Sequence, residues 1–197
     1  WMIEVDIRLT KDGVLITHEN FHHVGGVEDM RPFSRFGTLD VYAEANVNNA
    51  LKLRMPYVFS NSPFGFVPNI TLKTIENLSP FKINDIEITP IRVMHHKLPI
   101  LGYRIHNFAY LTDLKTLPDS ELEKLTNLDV LVISALRYEE HISHQTLDEA
   151  IALSNKIGAK QTYFTHMSHH IGLHKAVNER LPSNCALAYD GFEFFAL

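Results

Sequence analysis

Apolar and polar residues alternate strictly over 86–93, read as Ile-Glu-Ile-Thr-Pro-Ile-Arg-Val, which predicts a strand with unlike faces. Alternating or β-rich stretches predict further strands at 2–8, 39–43, 71–75, 81–83, 100–105, 108–111 and 161–164. Short continuous apolar runs at 14–16 and 130–133 predict buried strands. Helical spacing over 146–157 puts Leu147, Ala150, Ile151 and Ser154 on one face, and Gly158 stops the helix. Shorter helices are predicted at 27–36, 45–53 and 120–125. Asp190-Gly191, between 186–189 and 192–196, predicts a hairpin of two closing strands. The stretch 56–68 mixes Pro, Gly, Ser and Asn with Tyr57, Phe59, Phe64 and Phe66. It reads as a loop for packing or a homodimer interface, with a lid as the alternative.

The mixture of elements gives an α/β protein, and 197 residues suit one domain spanning the chain. The chain opens on Trp1 with no initiator Met and runs straight into a strand-like stretch, so N-terminal strands are expected to be missing. A net charge of −5 and the absence of a basic tract argue against long nucleic acid as a partner. One cysteine, Cys185, excludes an internal disulfide and suits a reducing, cytoplasmic setting. No apolar run approaches the roughly 20 residues of a membrane span.

Histidine changes the picture. There are 12, and all but His106 cluster, at 18/22/23, 95/96, 141/144 and 166/169/170/174. The first cluster, His18-x-Asn20-x-His22-His23, follows an apolar run and precedes Gly25-Gly26. By itself it also reads as a solvated loop. Four predicted strands, however, each end in a ligand-type residue: His18, His95, Asp113 and His166. If those strands run the same way, their ends converge on one edge, where imidazoles and a carboxylate make an N/O site for Zn²⁺, Mn²⁺ or Fe²⁺.

The ordered set of stretches resembles the metallo-β-lactamase fold superfamily. They are Leu15-Ile16-Thr17-His18 with Gly25-Gly26-Val27-Glu28-Asp29-Met30-Arg31-Pro32-Phe33, and His95 to Pro99 leading into Leu101-Gly102-Tyr103-Arg104-Ile105. After them come Ala109-Tyr110-Leu111-Thr112-Asp113, the stretch from His141 to Ala150, Thr165-His166-Met167-Ser168-His169, and Tyr189-Asp190-Gly191. Within that superfamily the chain resembles the phosphodiesterase branch that includes the cyclic-phosphate phosphodiesterase of phosphonate breakdown, with tRNA 3′-processing endonucleases further off. The resemblance implies an αββα sandwich with two divalent metal ions along one edge. It implies His18, His23, His95, Asp113 and His166 as ligands, with Asp113 bridging the ions, and a small cyclic or nucleotide-like phosphodiester as substrate. His144 would act near the scissile phosphate, stabilising charge or protonating the leaving oxygen. His169 would support His166 or touch substrate.

The chain departs from that pattern. The family's first motif is His-x-His-x-Asp-His, and here Asn20 and His22 replace the second His and the Asp. Asn is a poor zinc ligand, so one of the two sites is expected to be weakened. His22 stands where the family orients the attacking hydroxide, as a remodelled ligand or as damage. His96 follows the ligand His95 where the family commonly has Gly, and is expected to crowd the loop or act as a supporting contact. The reading is a phosphodiesterase that retains at least one metal with reduced activity. Rivals are a lactonase or thioesterase of the same fold, and a catalytically impaired metal-binding protein.

Overall fold

A computed structural model describes residues 8–9, 13–33, 37–59 and 67–194. The predicted strand at 2–8 lies outside these residues except for Arg8, as do 34–36, 60–66 and 195–196 of the other predicted stretches. The chain forms two compact units, residues 1–79 with 83–85, and residues 80–82 with 86–197. Both units are α/β, the class expected from the mixed pattern.

The first unit holds a sheet in the order β1 (Arg8–Leu9), β2 (Gly13–Leu15), β3 (Leu39–Ala43), β4 (Ile70–Thr74). β1 and β2 are antiparallel, and β2, β3 and β4 are parallel. The ladder continues past β2, because the Ile16 N–H donates to the Tyr42 carbonyl at 3.0 Å, two residues before His18. α1 (Phe21–Val24) follows, and the helix predicted at 27–36 is a 3-10 turn over Gly25–Met30. α2 (Ala45–Arg54) and α3 (Pro56–Phe59) complete the unit. Val14, Ile16, Val41, Ala43, Val47 and Leu51 share its core. Buried Asn48 on α2 ties the helix to β4, its amide donating to Thr74 Oγ1 at 3.2 Å.

The second unit holds a seven-stranded sheet in the order β11 (Cys185–Leu187), β10 (Gln161–Thr165), β9 (Val130–Ser134), β8 (Phe108–Leu111), β7 (Leu98–Ile105), β6 (Ile86–His95), β5 (Phe81–Ile83). β8 to β11 are mutually parallel, while β6–β7 and β7–β8 are antiparallel. Two reversals cancel, so β6 runs with β8, β9 and β10. His95, Asp113 and His166 therefore leave the sheet at one edge, as the strand-end pattern requires. α4 (Leu147–Ile157) buries Leu147 and Ala150 in a core with Leu131, Ile133 and Phe164. α5 is His174–Asn178.

Two local devices fix this unit. Gly102 on β7 faces β8 so closely that a Cβ would lie 2.4 Å from Leu111 Cδ2 and 2.9 Å from the Tyr110 carbonyl oxygen. α4 starts on a capping box: Thr146 Oγ1 accepts from the Glu149 N–H at 3.1 Å, and Glu149 Oε2 accepts from the Thr146 N–H at 2.8 Å. It ends on Gly158 at φ 75°, the left-handed conformation glycine adopts without strain.

Among the described residues the closing hairpin does not form. β11 pairs with β10, but Phe192 and Phe194 are not in a strand. Their rings instead meet Tyr163 at centroid distances of 4.5 and 5.6 Å, and Phe194 meets Phe108 at 5.4 Å. Aromatic stacking, worth about 0.5–1.5 kcal/mol per pair, replaces the ladder that the Asp-Gly turn predicts. No helix among the described residues is long and apolar enough to cross a membrane.

Candidate metal centre

The second unit assembles its candidate site from four loops at the C-terminal edge of its sheet. Asp113 follows β8 and is fully buried. His166 follows β10, and its Nδ1 faces Asp113 Oδ1 at 3.1 Å. His144, from the β9–α4 connection, places its Nδ1 at 3.9 Å from the same oxygen. One nitrogen or oxygen from each of these residues lies within 4.8 Å of the others, close enough to hold one ion. The rings of His144 and His166 stack at 4.8 Å, and His95 meets His144 edge-on at 4.7 Å.

Hydrogen bonds identify the nitrogen that His95 presents. Its Nδ1 lies 2.8 Å from the Asp113 carbonyl oxygen and 3.0 Å from the Ser143 carbonyl oxygen. Both partners only accept, so Nδ1 carries a proton and Nε2 is the nitrogen turned away from these two carbonyls. The carbonyl contacts also fix the ring plane, the usual support for a metal-binding imidazole. Neither Ser143 nor its loop carries a side-chain signal for this role, so the sequence does not reveal it.

Backbone conformation adds to the picture. Asp113 and His166 adopt φ values of 53° and 59°. Left-handed backbone costs an ordinary residue roughly 1–2 kcal/mol, and here it turns the chain just after β8 and β10, the strands that flank β9. Bonds between the loops hold the shape: Leu114 N–H to Ser134 Oγ at 3.2 Å, Gln145 N–H to the Leu114 carbonyl at 3.1 Å, and Ala135 N–H to the Thr165 carbonyl at 2.9 Å.

Burial pushes the His144 pKa down to about 4; Asp113 works against the shift, and His166, His95 and His141 add to it. The ring is therefore neutral at neutral pH. Its buried Nδ1 has no hydrogen-bond partner among the described residues. An orphaned imidazole nitrogen beside a buried carboxylate and a second imidazole is a donor set that fits a divalent cation. The family resemblance implies a place for His144 near the phosphate; its nitrogen also lies within ligand range of Asp113 and His166.

The first unit carries the other candidates. His18 and His23 are buried, with ring centroids 4.1 Å apart. His18 Nδ1 accepts from the Asn20 N–H at 3.2 Å, and His23 Nδ1 lies 3.3 Å from Thr17 Oγ1. Asn20 precedes α1 as its N-cap, but its side chain makes no capping hydrogen bond; the backbone carbonyl does the work, accepting from His23 and Val24. The side chain of His22 lies outside the described residues.

Two further candidates are exposed. His169 is exposed, with its ring 3.9 Å from that of His170. His96 is exposed in the two-residue turn between β6 and β7, at φ 57°. The turn explains why glycine suits this position: the constraint is conformational. His96→Gly is expected to stabilise the protein by about 1 kcal/mol, read in calorimetry as a Tm about 2–4 °C higher.

Residues 8–167 match the β-lactamase superfamily domain. A protein of Porphyromonas gingivalis named octanoyltransferase is 42% identical over 183 residues, which cover 92% of this chain and 37% of that protein. The chain thus spans little more than a third of that relative's length. A solved diphosphatase of the PhnP family superposes with a TM-score of 0.84 at 32% identity, covering 94% of this chain and 72% of that one. The short form of human tRNase Z gives a TM-score of 0.68 at 15% identity, covering 94% of this chain and 80% of that one, a likeness of fold.

Proposed function

Since the chain belongs to the β-lactamase superfamily, and within it to the PhnP family, we propose that it is a metal-dependent hydrolase of small phosphoric diesters or diphosphates. The observation that carries this reading is the Asp113–His144–His166 triangle, with ligand atoms within 4.8 Å of one another at a sheet edge. Asp113 and His166 would hold the ion there, with His95 on the neighbouring loop beside them; within the first unit, His18 and His23 form a separate buried imidazole pair. A divalent ion in such a site supplies polarisation of a phosphoryl oxygen and activation of water. The depressed pKa of His144 favours donation of its single N–H to a phosphoryl oxygen over protonation of the leaving group. The substrate is a small molecule, since the net charge of −5 does not favour a long polyanion.

The name of the Porphyromonas relative favours a second reading, hydrolysis of an acyl ester or thioester. The cluster holds imidazoles and a carboxylate, and the one cysteine is buried with its thiol pKa raised by burial. Acyl transfer through a cysteine of this chain therefore has no support.

The test measures metal content and hydrolysis of bis(p-nitrophenyl) phosphate, an aryl diphosphate and p-nitrophenyl octanoate. The parent chain is compared with the double variant Asn20→His, His22→Asp. Metal-dependent cleavage of either phosphate, faster in the double variant, is the expected result. Cleavage of the octanoate ester alone favours the acyl reading. Activity only in the double variant marks this chain as an impaired metal-binding protein, and absence of metal from both forms overturns the proposal.

A further inference from the structure

We propose that Lys115 and Glu149 form a latch that positions His144 against Asp113, an inference that rests on the cluster being the active site. Lys115 lies two residues after Asp113, and Glu149 closes the capping box on Thr146, two residues after His144. Lys115 Nζ donates to both carboxylate oxygens of Glu149, at 2.9 and 3.0 Å. Glu149 Oε2 also accepts the Thr146 N–H at 2.8 Å, so one carboxylate gathers the loops that carry Asp113 and His144.

The backbone of Lys115 is anchored as well. Its N–H and that of Thr116 donate to the Met94 carbonyl at 2.8 and 3.2 Å, and the Met94 N–H returns to the Thr116 carbonyl at 2.9 Å. Met94 precedes His95. The lysine thus stands on the β6 end and reaches the α4 end, with the Asp113 loop between them. The Lys115 side chain is 17% exposed and that of Glu149 44%, so solvent screens the contact from the carboxylate side only.

A cap does not require this lysine. One carboxylate oxygen satisfies Thr146, and an amide would serve equally well. The ammonium instead fixes the separation of two loops whose residues meet at 3.9 Å, His144 Nδ1 to Asp113 Oδ1. Misplacement of a group at a reacting centre by about 1 Å can cost about a hundredfold in rate, so a small relaxation here is visible in kcat. Lys115 and Glu149 touch no reacting atom; both are positioning residues.

The test uses the full chain with Lys115→Met, Lys115→Arg, Glu149→Gln and the Met/Gln double variant. Glu149→Gln keeps the acceptor for Thr146 and removes the charge. The first readout is the His144 and His166 ring signals by NMR in metal-free protein, with His174 as internal control. The second is kcat and KM on bis(p-nitrophenyl) phosphate with added Mn²⁺ or Zn²⁺. Lys115→Met and Glu149→Gln are expected to move the His144 signals and to lower kcat about tenfold with KM within about twofold. Lys115→Arg restores both, and the double variant falls no further than either single one. Unmoved His144 signals, or a kcat loss that Arg does not rescue and that follows Tm alone, overturn the latch. Should the parent hydrolyse nothing, the functional reading fails, and the ring signals still decide the latch.

Discussion

Asp113→Asn is expected to lower metal affinity by about a hundredfold or more and kcat/KM by about a thousandfold. The carboxylate is fully buried and faces the Nδ1 atoms of His166 and His144 at 3.1 and 3.9 Å. An amide of the same shape keeps one weakly coordinating oxygen and loses the negative charge. The fold should tolerate the change. A buried charge is costly to desolvate, and the amide keeps the carboxylate's shape, so the metal-free Tm is expected to stay within a few degrees of the parent. Metal titration, steady-state kinetics and calorimetry on the same preparation check all three parts. Retained activity would remove Asp113 from the centre of the site, and a collapse in Tm would make it a structural residue.

The second large effect concerns stability. Gly102→Ala puts a methyl group 2.4 Å from Leu111 Cδ2 and 2.9 Å from the Tyr110 carbonyl oxygen. The leucine side chain can rotate, but the carbonyl belongs to a strand fixed between β7 and β9. Overpacking of this kind costs about 1–3 kcal/mol, which lowers the Tm of a chain this size by about 2–12 °C. Leu111 is followed by Thr112 and Asp113, so displacement of β8 also displaces the carboxylate, and activity should fall with stability. A Tm within about one degree of the parent would show that β8 yields without strain.

Much of this arrangement was legible in the sequence because burial writes a period. The alternation at 86–93 marks β6, and the uniform apolar run at 130–133 marks β9, whose Val130–Ser134 are all buried. The strand ends then pointed to His95, Asp113 and His166. What escaped was non-local. Lys115 and Glu149 are 34 positions apart, and nothing in either neighbourhood announces their pairing. The Thr146-x-x-Glu149 capping box was the available signal. The Ser143 carbonyl under His95 left no side-chain trace. The Asp190-Gly191 turn misled for a related reason, since local turn chemistry gave way to the aromatic surface of Tyr163 and Phe108. His96 misled in the other direction, because a conformational demand for φ 57° looks in sequence like a chemical substitution.

The common direction of β6, β8, β9 and β10 carries a thermodynamic consequence. Each of these strands delivers its ligand-type residue from a separate part of the chain, so the cluster exists only after all of them have docked. An unfolded chain offers no comparable convergence of His95, Asp113, His144 and His166. An ion bound there recognises the native ensemble almost alone, and by mass action it braces the fold in proportion to the logarithm of its free concentration. Metal supply would then set the lifetime of this protein as well as its turnover.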